Sequence, residues 1–288
     1  MLKWGSTILL ALCLIVIFYT TRDDETPPAP TAGQMEVYGF DVGQGDSTFI
    51  RTKEDAILID GGNNGKGEDV VRYLNELGVE RLTAIVATHP DADHIGGLDT
   101  VLDAFPVESV YAPRVTHTTE TYRDFLLAVK REGVTIKSVK AGLEIPSEVA
   151  RFTFLAPLTD GTQDLNSWSA VLRVENGQDR FLFMGDAPIR TEQQLLESDE
   201  DLRADVLKLG HHGAETSSSL PFLQAVAPKR ALISAGKDNA YRHPRPSVLQ
   251  ELKTERIMVD RTDKNGTIQY ISSGNGIKES NRTDLRPD

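Results

Sequence analysis

The chain has 288 residues, of which 39% are hydrophobic, and its formal net charge is −12 at pH 7. This length suits one large domain or two small ones, with enough apolar residues to bury a core. The negative charge argues against a broad nucleic-acid-binding surface but leaves room for a local basic patch. Because Cys13 is the single cysteine, an internal disulfide and a cysteine-rich zinc site are excluded. Any bound metal would need His, Asp, Glu or Asn ligands.

The N-terminal residues 1–25 contain an uncharged run from Gly5 to Thr21, almost wholly apolar between Ile8 and Tyr19. Its length is close to the minimum for a membrane span, and it also suits the core of a signal peptide. We expect an uncleaved membrane anchor, because no small-residue cleavage site follows the apolar run directly. Lys3 before the run and three acidic residues after it favour a body outside the cytoplasm, anchored to the membrane or secreted.

The composition divides the rest of the chain into three parts. Residues 26–34 are rich in proline and form an extended polar linker without a core of its own. Residues 35–273 carry the β-prone and helical runs of one folded domain. Residues 274–288 are predicted to be a loose polar tail. The sequence gives no indication of the oligomeric state.

Within the folded domain, short β-prone runs alternate with amphipathic helical runs. In chain order we predict a strand at 56–60, a helix marked by apolar residues 70, 71, 74 and 77, a strand at 82–87, a helix marked by 122, 125, 126 and 129, a hairpin of 170–175 and 180–184 turning at Asn176-Gly177, and strands at 206–209, 231–234 and 266–271. This mixture predicts layered sheets with helices on the outside.

Residues 87–97 are the most informative stretch, because two histidines and two aspartates fall within six residues: His89, Asp91, Asp93 and His94. They follow a predicted buried strand and precede Gly96-Gly97, which permits a tight turn into a helix. Four such side chains on one turn converge, and converging His and Asp side chains are typical of a metal site. A solvated acidic loop is the simpler alternative, but it gives no reason for two histidines at this spacing.

Further candidate residues follow other predicted strands. Asp60 and Asp186 each stand beside glycine at a strand end, where the active sites of layered folds gather side chains, although either could simply cap a turn. His211, His212 and His243 lie in two later strand-end loops.

The segment from residue 208 to residue 245 is basic within an acidic chain. Against only two acids it carries six cations: Lys208, Lys229, Arg230, Lys237, Arg242 and Arg245. An anionic substrate is the functional interpretation, and Lys208 and Arg242 could then neutralise a phosphate. A solvated basic face is an equally simple interpretation.

Four segments together resemble a known family: residues 40–47 (Phe-Asp-Val-Gly-Gln-Gly-Asp-Ser), 88–97, 207–213 and 239–244. The chain resembles the metallo-β-lactamase superfamily, whose hallmark is a His-x-His-x-Asp-His loop. Within it the chain is most similar to the hydrolase domain of ComEC-type DNA-uptake proteins and their stand-alone relatives. The resemblance implies a four-layer αββα sandwich of α/β class with a dinuclear metal site at one edge.

The resemblance also implies roles for individual residues. His89 and Asp91 would bind a first metal, Asp93 and His94 a second, and Asp186 would bridge the two. The remaining implied roles are a ligand to the second metal for His243, support of the loop from behind for Asp60, and a place near the leaving group or the scissile phosphate for His211 and His212.

Two departures from the superfamily motif affect the expected metal. Asp91 replaces the middle histidine, and the segment that usually supplies another histidine offers Asn166 or Ser169 instead. Both changes make the ligand set richer in oxygen, so Mn²⁺ is admitted beside Zn²⁺ as the pair of divalent ions. They also argue against antibiotic hydrolysis and glyoxalase chemistry.

We therefore expect a metal-dependent phosphodiesterase, and specifically a nuclease acting on DNA or another anionic phosphodiester. The two cations would lower the pKa of a water molecule, and Asp93 would steer the nucleophile. His211 or His212 would protonate or stabilise the departing oxygen. Two alternatives stay open: hydrolysis of a small ester, lactone or thioester by the same site, and a non-catalytic role as a partner in DNA uptake.

Overall fold

The computed structural model describes residues 26–158, 164–282 and 284–285. Its strands are β1 (Met35–Gly39), β2 (Thr48–Arg51), β3 (Ala56–Ile59), β4 (Ala84–Val86), β5 (Val110–Pro113), β6 (Ile136–Val139), β7 (Glu144–Ile145), β8 (Arg151–Phe154), β9 (Leu172–Asn176), β10 (Asp179–Phe183), β11 (Val206–Lys208), β12 (Arg230–Ile233), β13 (Met258–Arg261), β14 (Thr267–Ser272) and β15 (Ile277–Arg282). Its helices are α1 (Gly67–Glu76), α2 (Ala92–Ile95), α3 (Leu98–Ala104), α4 (Glu120–Glu132), α5 (Ile189–Leu196), α6 (Leu220–Val226), α7 (Pro246–Thr254) and α8 (Thr262–Asn265).

The strands form two mixed sheets. The first sheet has the order β15-β14-β1-β2-β3-β4-β5-β6, and the second has the order β13-β12-β11-β10-β9-β8-β7. Strands β3 to β6 run parallel to one another, as do strands β10 to β13. Parallel neighbours end at the same edge of a sheet, so the loops that follow them lie close together.

Three apolar clusters hold the layers together. The facing sides of the two sheets bury a central cluster that includes Phe181. Helices α1, α3 and α4 cover the outer face of the first sheet through residues such as Tyr73 and Leu98. Helices α5, α6 and α7 cover the second sheet through residues such as Phe222 and Leu252. The layers are therefore the αββα sandwich expected from the sequence.

The predicted helices form where the apolar spacing placed them. In α1, Val70, Tyr73 and Leu74 are buried on one face, as a spacing of three and four residues requires. Helix α4 begins after Thr119, whose side chain accepts a hydrogen bond from the backbone N–H of Tyr122. It ends at Gly133, whose φ of 79° closes the last turn.

The predicted strands are also present, with one shift at the hairpin. Strands β9 and β10 pair with Asn176 opposite Asp179, so the two turn residues are Gly177 and Gln178 rather than Asn176 and Gly177. Gly177 has a φ of 57°, and a Cβ there would lie 2.5 Å from the carbonyl oxygen of Gly274. Glycine is therefore needed at the first turn position.

Strand β15 corrects the prediction of a loose polar tail after residue 273. It pairs antiparallel with β14, from Thr267 opposite Arg282 to Ser272 opposite Ile277. The turn before it is fixed by Asp179, which accepts hydrogen bonds from the backbone N–H of residues 274 and 276 at 3.0 and 2.6 Å. Edge strands carry polar side chains, and the apolar pattern that marks a buried strand is therefore missing here.

The predicted membrane anchor, residues 1–25, lies outside the described residues. Among the residues that the structure does describe, no helix is long and apolar enough to span a membrane. Linker residues 26–34 form no helix or strand, and the carbonyl oxygen of Pro28 accepts a hydrogen bond from Arg51 at 3.4 Å.

Candidate metal centre

The loops that follow strands β3, β4, β10, β11 and β12 meet at one edge of the sandwich. The loop after β4 carries four of the candidate residues, and helix α2 begins within it, directly after Asp91. His89 and His94 are buried, and their ring centroids lie 4.1 Å apart. The short chain between them places both imidazoles against the carboxylate of Asp186, and this convergence is the one that the spacing predicts.

Asp186 lies at the centre of the site with an exposed fraction of 3%. Its Oδ1 is 3.2 Å from His94 Nε2, and its Oδ2 is 4.0 Å from His89 Nε2. Its backbone N–H donates a hydrogen bond to the hydroxyl of Ser169, which is fully buried. Ser169 therefore fixes the loop of Asp186, while Asn166 from the same segment lies beside His211.

The structure places His212, rather than His243, beside the second pair of ligand candidates. His212 Nε2 is 3.3 Å from Asp93 Oδ2 and 3.7 Å from Asp186 Oδ2. The donor atoms of Asp93, His94 and His212 lie within 4.8 Å of one another, as do those of His89, His94 and Asp186. His212 is therefore a ligand candidate in this structure, a role that the resemblance did not imply.

His243 belongs to none of the groups of metal-ligand candidates found among the described residues. The centroid of its ring lies 6.5 Å from that of His212 and 5.6 Å from that of His211. Burial, followed by the charges of His211 and His212, lowers the pKa of His243 to about 4, so its ring is neutral at pH 7. His243 therefore packs against the rings of the site from outside.

Each of the three buried histidines has its Nδ1 atom occupied by a protein acceptor. His94 Nδ1 donates to Asp60 Oδ2 at 2.8 Å, and His212 Nδ1 donates to the carbonyl oxygen of Ser234 at 3.0 Å. His89 Nδ1 lies 3.1 Å from the hydroxyl oxygen of Thr88, whose own hydrogen goes to Asp60. In this tautomer each Nε2 atom carries a free lone pair, as a metal ligand requires.

The inward-facing atoms of this cluster fit a divalent metal. Four of them are buried and have no hydrogen-bond partner among the described residues: His89 Nε2, His94 Nε2, His212 Nε2 and Asp186 Oδ1. Buried polar atoms of this kind are costly unless something satisfies them. Donor atoms at about 2.1 Å from one ion in tetrahedral geometry stand about 3.4 Å apart. The separations of 3.2, 3.3, 3.5 and 3.7 Å in the cluster match that spacing.

The charges of the cluster also favour a cation. Burial alone lowers the pKa of His212, but the carboxylates of Asp186 and Asp46 outweigh it and raise that pKa to about 10. The same balance, with Asp186 and Asp60 as the carboxylates, raises the pKa of His94 well above its usual value. Burial raises the pKa of Asp186, but the charges of His94 and His212 lower it well below its usual range. The carboxylates thus draw positive charge to the site, and a bound cation would supply it while releasing protons.

Asp60 lies behind the loop, in the place that the resemblance implied. It is 1% exposed and accepts hydrogen bonds from Thr88 N, Thr88 Oγ1 and His94 Nδ1 at 2.8, 2.7 and 2.8 Å. Its φ of 59° turns the chain directly after β3. Asp60 thereby orients one ligand candidate and anchors the backbone next to another.

Lys208 is not placed to meet a substrate, which corrects the expectation that it neutralises a phosphate. Its side chain is 2% exposed, and its ammonium group donates to Asp46 Oδ2 at 2.7 Å and to the carbonyl oxygen of Leu209 at 3.1 Å. The other oxygen of Asp46 lies 3.3 Å from His212 Nδ1. Lys208 and Asp46 therefore form a buried ion pair that supports His212 from behind.

The basic segment from residue 208 to residue 245 is also less uniform than its sequence suggests. Lys208 is buried in its ion pair, Lys229 pairs with Asp205 at 2.8 Å, and Arg230 pairs with Asp260 at 2.7 Å. Three of its cations form no ion pair with any residue that the structure describes, and they share one stretch of chain: Lys237, Arg242 and Arg245. Within this segment, the cations without an ion-pair partner among the described residues thus lie in the loop after β12.

His211 differs from the other histidines of the site. Its side chain is 29% exposed, and its Nε2 atom lies 3.7 Å from Asp186 Oδ2. Its Nδ1 atom faces the hydroxyl of Thr216 at 3.1 Å and the Nδ2 atom of Asn166 at 3.5 Å. Because an amide nitrogen only donates, Nδ1 is the acceptor and the ring proton resides on Nε2. His211 can therefore donate a hydrogen bond from Nε2, where the buried histidines offer a lone pair.

The two adjacent histidines reach the site through an unusual backbone. His211 and His212 have φ angles of 51° and 55°, in the left-handed region that non-glycine residues rarely adopt. Such conformations cost on the order of 1–3 kcal/mol each and cluster at functional sites. The backbone N–H of His211 donates to the carbonyl oxygen of Gly185 at 3.1 Å and ties the turn to the loop of Asp186. Both imidazoles consequently face the same carboxylate.

Sequence reasoning missed some residues that position the site. Asp46 belongs to a segment recognised from the sequence, but no role followed from its position. The sequence does not indicate the roles of the Thr88 hydroxyl and the Ser234 carbonyl oxygen. A threonine beside a histidine is common, and every residue has a main-chain carbonyl oxygen. Their value depends on contacts between residues distant in the chain.

Comparisons with known proteins agree with this geometry. A model of the metallo-beta-lactamase superfamily matches residues 40–237. ComE operon protein 3 of Bacillus subtilis is 36% identical over 257 residues, which cover 83% of this chain and 33% of that protein. Competence protein ComA of Neisseria gonorrhoeae is 33% identical over 270 residues, covering 93% of this chain and 36% of that protein. The chain thus spans about a third of the length of these relatives.

One solved structure shows the same fold at low sequence identity. The metallo-beta-lactamase fold protein YhfI from Bacillus subtilis superposes with a TM-score of 0.52 at 12% identity, covering 86% of this chain and 100% of that one. At this identity the likeness concerns the fold alone. The sequence relatives, by contrast, agree with the resemblance drawn from the four motif segments.

Proposed function

The chain belongs to the metallo-β-lactamase superfamily of metal-dependent hydrolases, and we propose that it is a phosphodiesterase that cleaves nucleic acid. The observation that carries the proposal is the convergence of unpartnered imidazole and carboxylate atoms on Asp186. Beside this cluster lies a loop whose three cations have no acidic partner among the described residues. A site that holds cations next to a basic loop suits an anionic substrate.

We propose that two divalent ions occupy the cluster, either Zn²⁺ or Mn²⁺. His89, Asp91 and Asp186 would hold one ion, and Asp93, His94, His212 and Asp186 the other. Bound ions of this kind supply Lewis acidity and lower the pKa of a water molecule. The mixture of imidazole and carboxylate ligands suits both metals.

The remaining chemistry falls to side chains of the chain itself. His211 carries its N–H at Nε2 on the open side of the site, and it would donate a hydrogen bond to the departing oxygen and stabilise the charge that develops there. Asp93, whose side chain is 25% exposed, would orient the attacking water from the same side. Arg242 is exposed on the basic loop and would neutralise charge on the phosphate.

The comparison with relatives favours nucleic acid over a small ester as the substrate. Two relatives are named for competence or its operon. In addition, Lys237, Arg242 and Arg245 supply a basic surface that an uncharged ester would not need. We therefore propose DNA as the substrate.

Hydrolysis and metal content, measured on the same protein, test this function. The protein loaded with Mn²⁺ or Zn²⁺ should contain two ions and should cleave single-stranded DNA and a chromogenic phosphodiester. Asp186→Ala should lose bound metal and activity together, while Asp103→Ala, at an exposed ion pair, should keep both. Turnover of lactones or thioesters without cleavage of any phosphodiester would overturn the proposal, and so would the absence of stoichiometric metal.

We also propose that residues 1–25 anchor the enzyme to the membrane with its catalytic domain outside the cytoplasm. The support is the uncharged apolar run, with Lys3 before it and the acidic residues 23–25 after it. Protease added to intact cells should digest the domain from outside. A protein that stays protected in intact cells and fractionates with the cytosol would contradict this placement.

A further inference from the structure

Three aromatic rings lead from the metal centre to the surface in one nearly parallel row. The rings of His212 and His243 are 6.5 Å apart with an interplanar angle of 24°, and those of His243 and Tyr241 are 5.8 Å apart, also at 24°. These distances fall within the range of offset stacking. Tyr241, the outermost ring, is 60% exposed. The row therefore begins at a buried ligand candidate and ends in solvent.

The loop that carries Tyr241 is held in one shape by Asn239. The amide nitrogen of Asn239 donates to the carbonyl oxygens of Gly236 and His243 at 2.9 and 2.6 Å. Its amide oxygen accepts from the backbone N–H of His243 at 3.0 Å. The backbone N–H of Gly236 in turn donates to Gln44 at 3.1 Å, which ties the loop to the first sheet. An aromatic ring on a preorganised loop loses little entropy when a ligand stacks on it.

The charges around Tyr241 suit a polyanion. Arg242 is its neighbour in the chain, and Lys237 and Arg245 lie on the same loop, which also carries one acid, Asp238. None of the three pairs with an acid among residues 26–158, 164–282 and 284–285. In a protein with a net charge of −12, an exposed aromatic ring among unpaired cations is a distinctive local surface. Aromatic rings interleaved with cations are the features with which proteins bind single-stranded nucleic acid.

We propose that Tyr241 is a stacking platform for an unpaired nucleobase, and that it directs single-stranded nucleic acid into the metal centre. The inference rests on the proposed phosphodiesterase function and adds a substrate class to it. A base on the outer face of Tyr241 would extend the row of rings, while Arg242 beside it would meet the adjoining phosphate. Bases within a duplex already stack on each other, and a base must leave that stack before it can stack on Tyr241. The free-energy cost of unstacking therefore cancels the gain for duplex DNA.

Binding and cleavage by the full chain in mild detergent test the platform. Tyr241→Ala and Tyr241→Leu should weaken binding of a single-stranded DNA oligonucleotide by about 5- to 150-fold, the range expected for one lost stacking partner. Tyr241→Phe should retain most of the affinity. Leu127→Ala, which removes an exposed apolar side chain from helix α4, is the matched control and should bind like the unaltered protein. The metal content of each variant shows whether the centre is intact.

Four further ligands distinguish stacking on Tyr241 from a purely structural role of this residue. An oligonucleotide of abasic nucleotides should bind weakly, with the same affinity for the unaltered chain and for Tyr241→Ala. A single-stranded RNA of the same sequence should show the same dependence on Tyr241 as the DNA, whereas duplex DNA should not. On methyl p-nitrophenyl phosphate, which has no base, Tyr241→Ala should lose much less kcat/KM than on the oligonucleotide.

The outcomes separate this inference from the proposed function. If the unaltered chain hydrolyses methyl p-nitrophenyl phosphate but Tyr241→Ala binds the oligonucleotide as tightly as before, the platform is wrong and the phosphodiesterase stands. Equal losses for Tyr241→Ala on both substrates, or a duplex that depends on Tyr241 as strongly as a single strand, would also overturn the platform. If the unaltered chain neither binds the oligonucleotide nor hydrolyses a phosphodiester, both proposals fall.

Discussion

Asp60→Asn should weaken metal binding, although it only replaces one carboxylate oxygen by an NH₂ group and Asp60 lies behind the ligand candidates. Asp60 accepts three hydrogen bonds, with Oδ1 facing Thr88 N and Oδ2 facing both Thr88 Oγ1 and His94 Nδ1. An amide has one oxygen and one NH₂ group. If its oxygen keeps the bond to Thr88 N, the NH₂ group faces His94 Nδ1. His94 must then carry its proton on Nε2, which is the atom needed by the metal.

The opposite orientation of the amide is no better, because its NH₂ group then meets the backbone N–H of Thr88 in a site that is 1% exposed. Loss of an outer partner of this kind typically costs about 10- to 100-fold in metal affinity, or about 1.4 to 2.7 kcal/mol. Competition of the metal-free protein with a chromogenic chelator measures this affinity. Asp103→Asn, at an exposed pair with Arg131, is the matched control and should bind metal unchanged. Unchanged affinity in Asp60→Asn would refute the reasoning about the tautomer of His94.

Three further outcomes follow from the same geometry. His211→Ala should keep its metal and lose turnover by about a hundredfold or more, as expected when one hydrogen-bond donor to the departing oxygen is lost. His212→Ala should lose metal instead. Metal analysis and steady-state kinetics distinguish the two variants, and retained metal in His212→Ala would contradict its assignment as a ligand. Because the pKa of His212 is raised to about 10, the metal-free ring is protonated at pH 7 and must lose a proton to bind. Metal affinity should therefore rise with pH between 6 and 8, with proton release measured by calorimetry in buffers of different ionisation enthalpy; a pH-independent affinity would contradict this. Gly96→Ala should destabilise the fold by about 1–3 kcal/mol, since a Cβ there would collide with the backbone of residues 64 and 92, and an unchanged melting temperature would show that the loop can yield.

The parts of the site that are local in sequence could be predicted, and the parts that depend on long-range contacts could not. His89, Asp91, Asp93 and His94 lie within six residues after one strand, so their convergence follows from chain geometry alone. The choice between His212 and His243 is different, because both follow strands that end at the same edge of the second sheet. It depends on the left-handed backbone at His212 and on the Ser234 carbonyl oxygen, neither of which leaves a mark in the sequence.

The ion-pair partners of charged residues could not be predicted from the sequence either. In the sequence Lys208 belongs to a basic segment, yet its partner Asp46 stands 162 residues away in the chain. Only the fold brings β11 and the loop after β1 together and buries the pair. The layers and helices, by contrast, follow from short-range apolar spacing, and they were predicted well. Strand β15 escaped prediction because a polar edge strand lacks that spacing.

The arrangement of ligands is the central claim, and an anomalous difference map from crystals of the metal-loaded protein tests it most directly. The account predicts two peaks, one bound by His89 and Asp91 and the other by Asp93, His94 and His212, with Asp186 contacting both. A single peak, a peak bound by His243, or an Asp186 carboxylate that touches neither ion would contradict it.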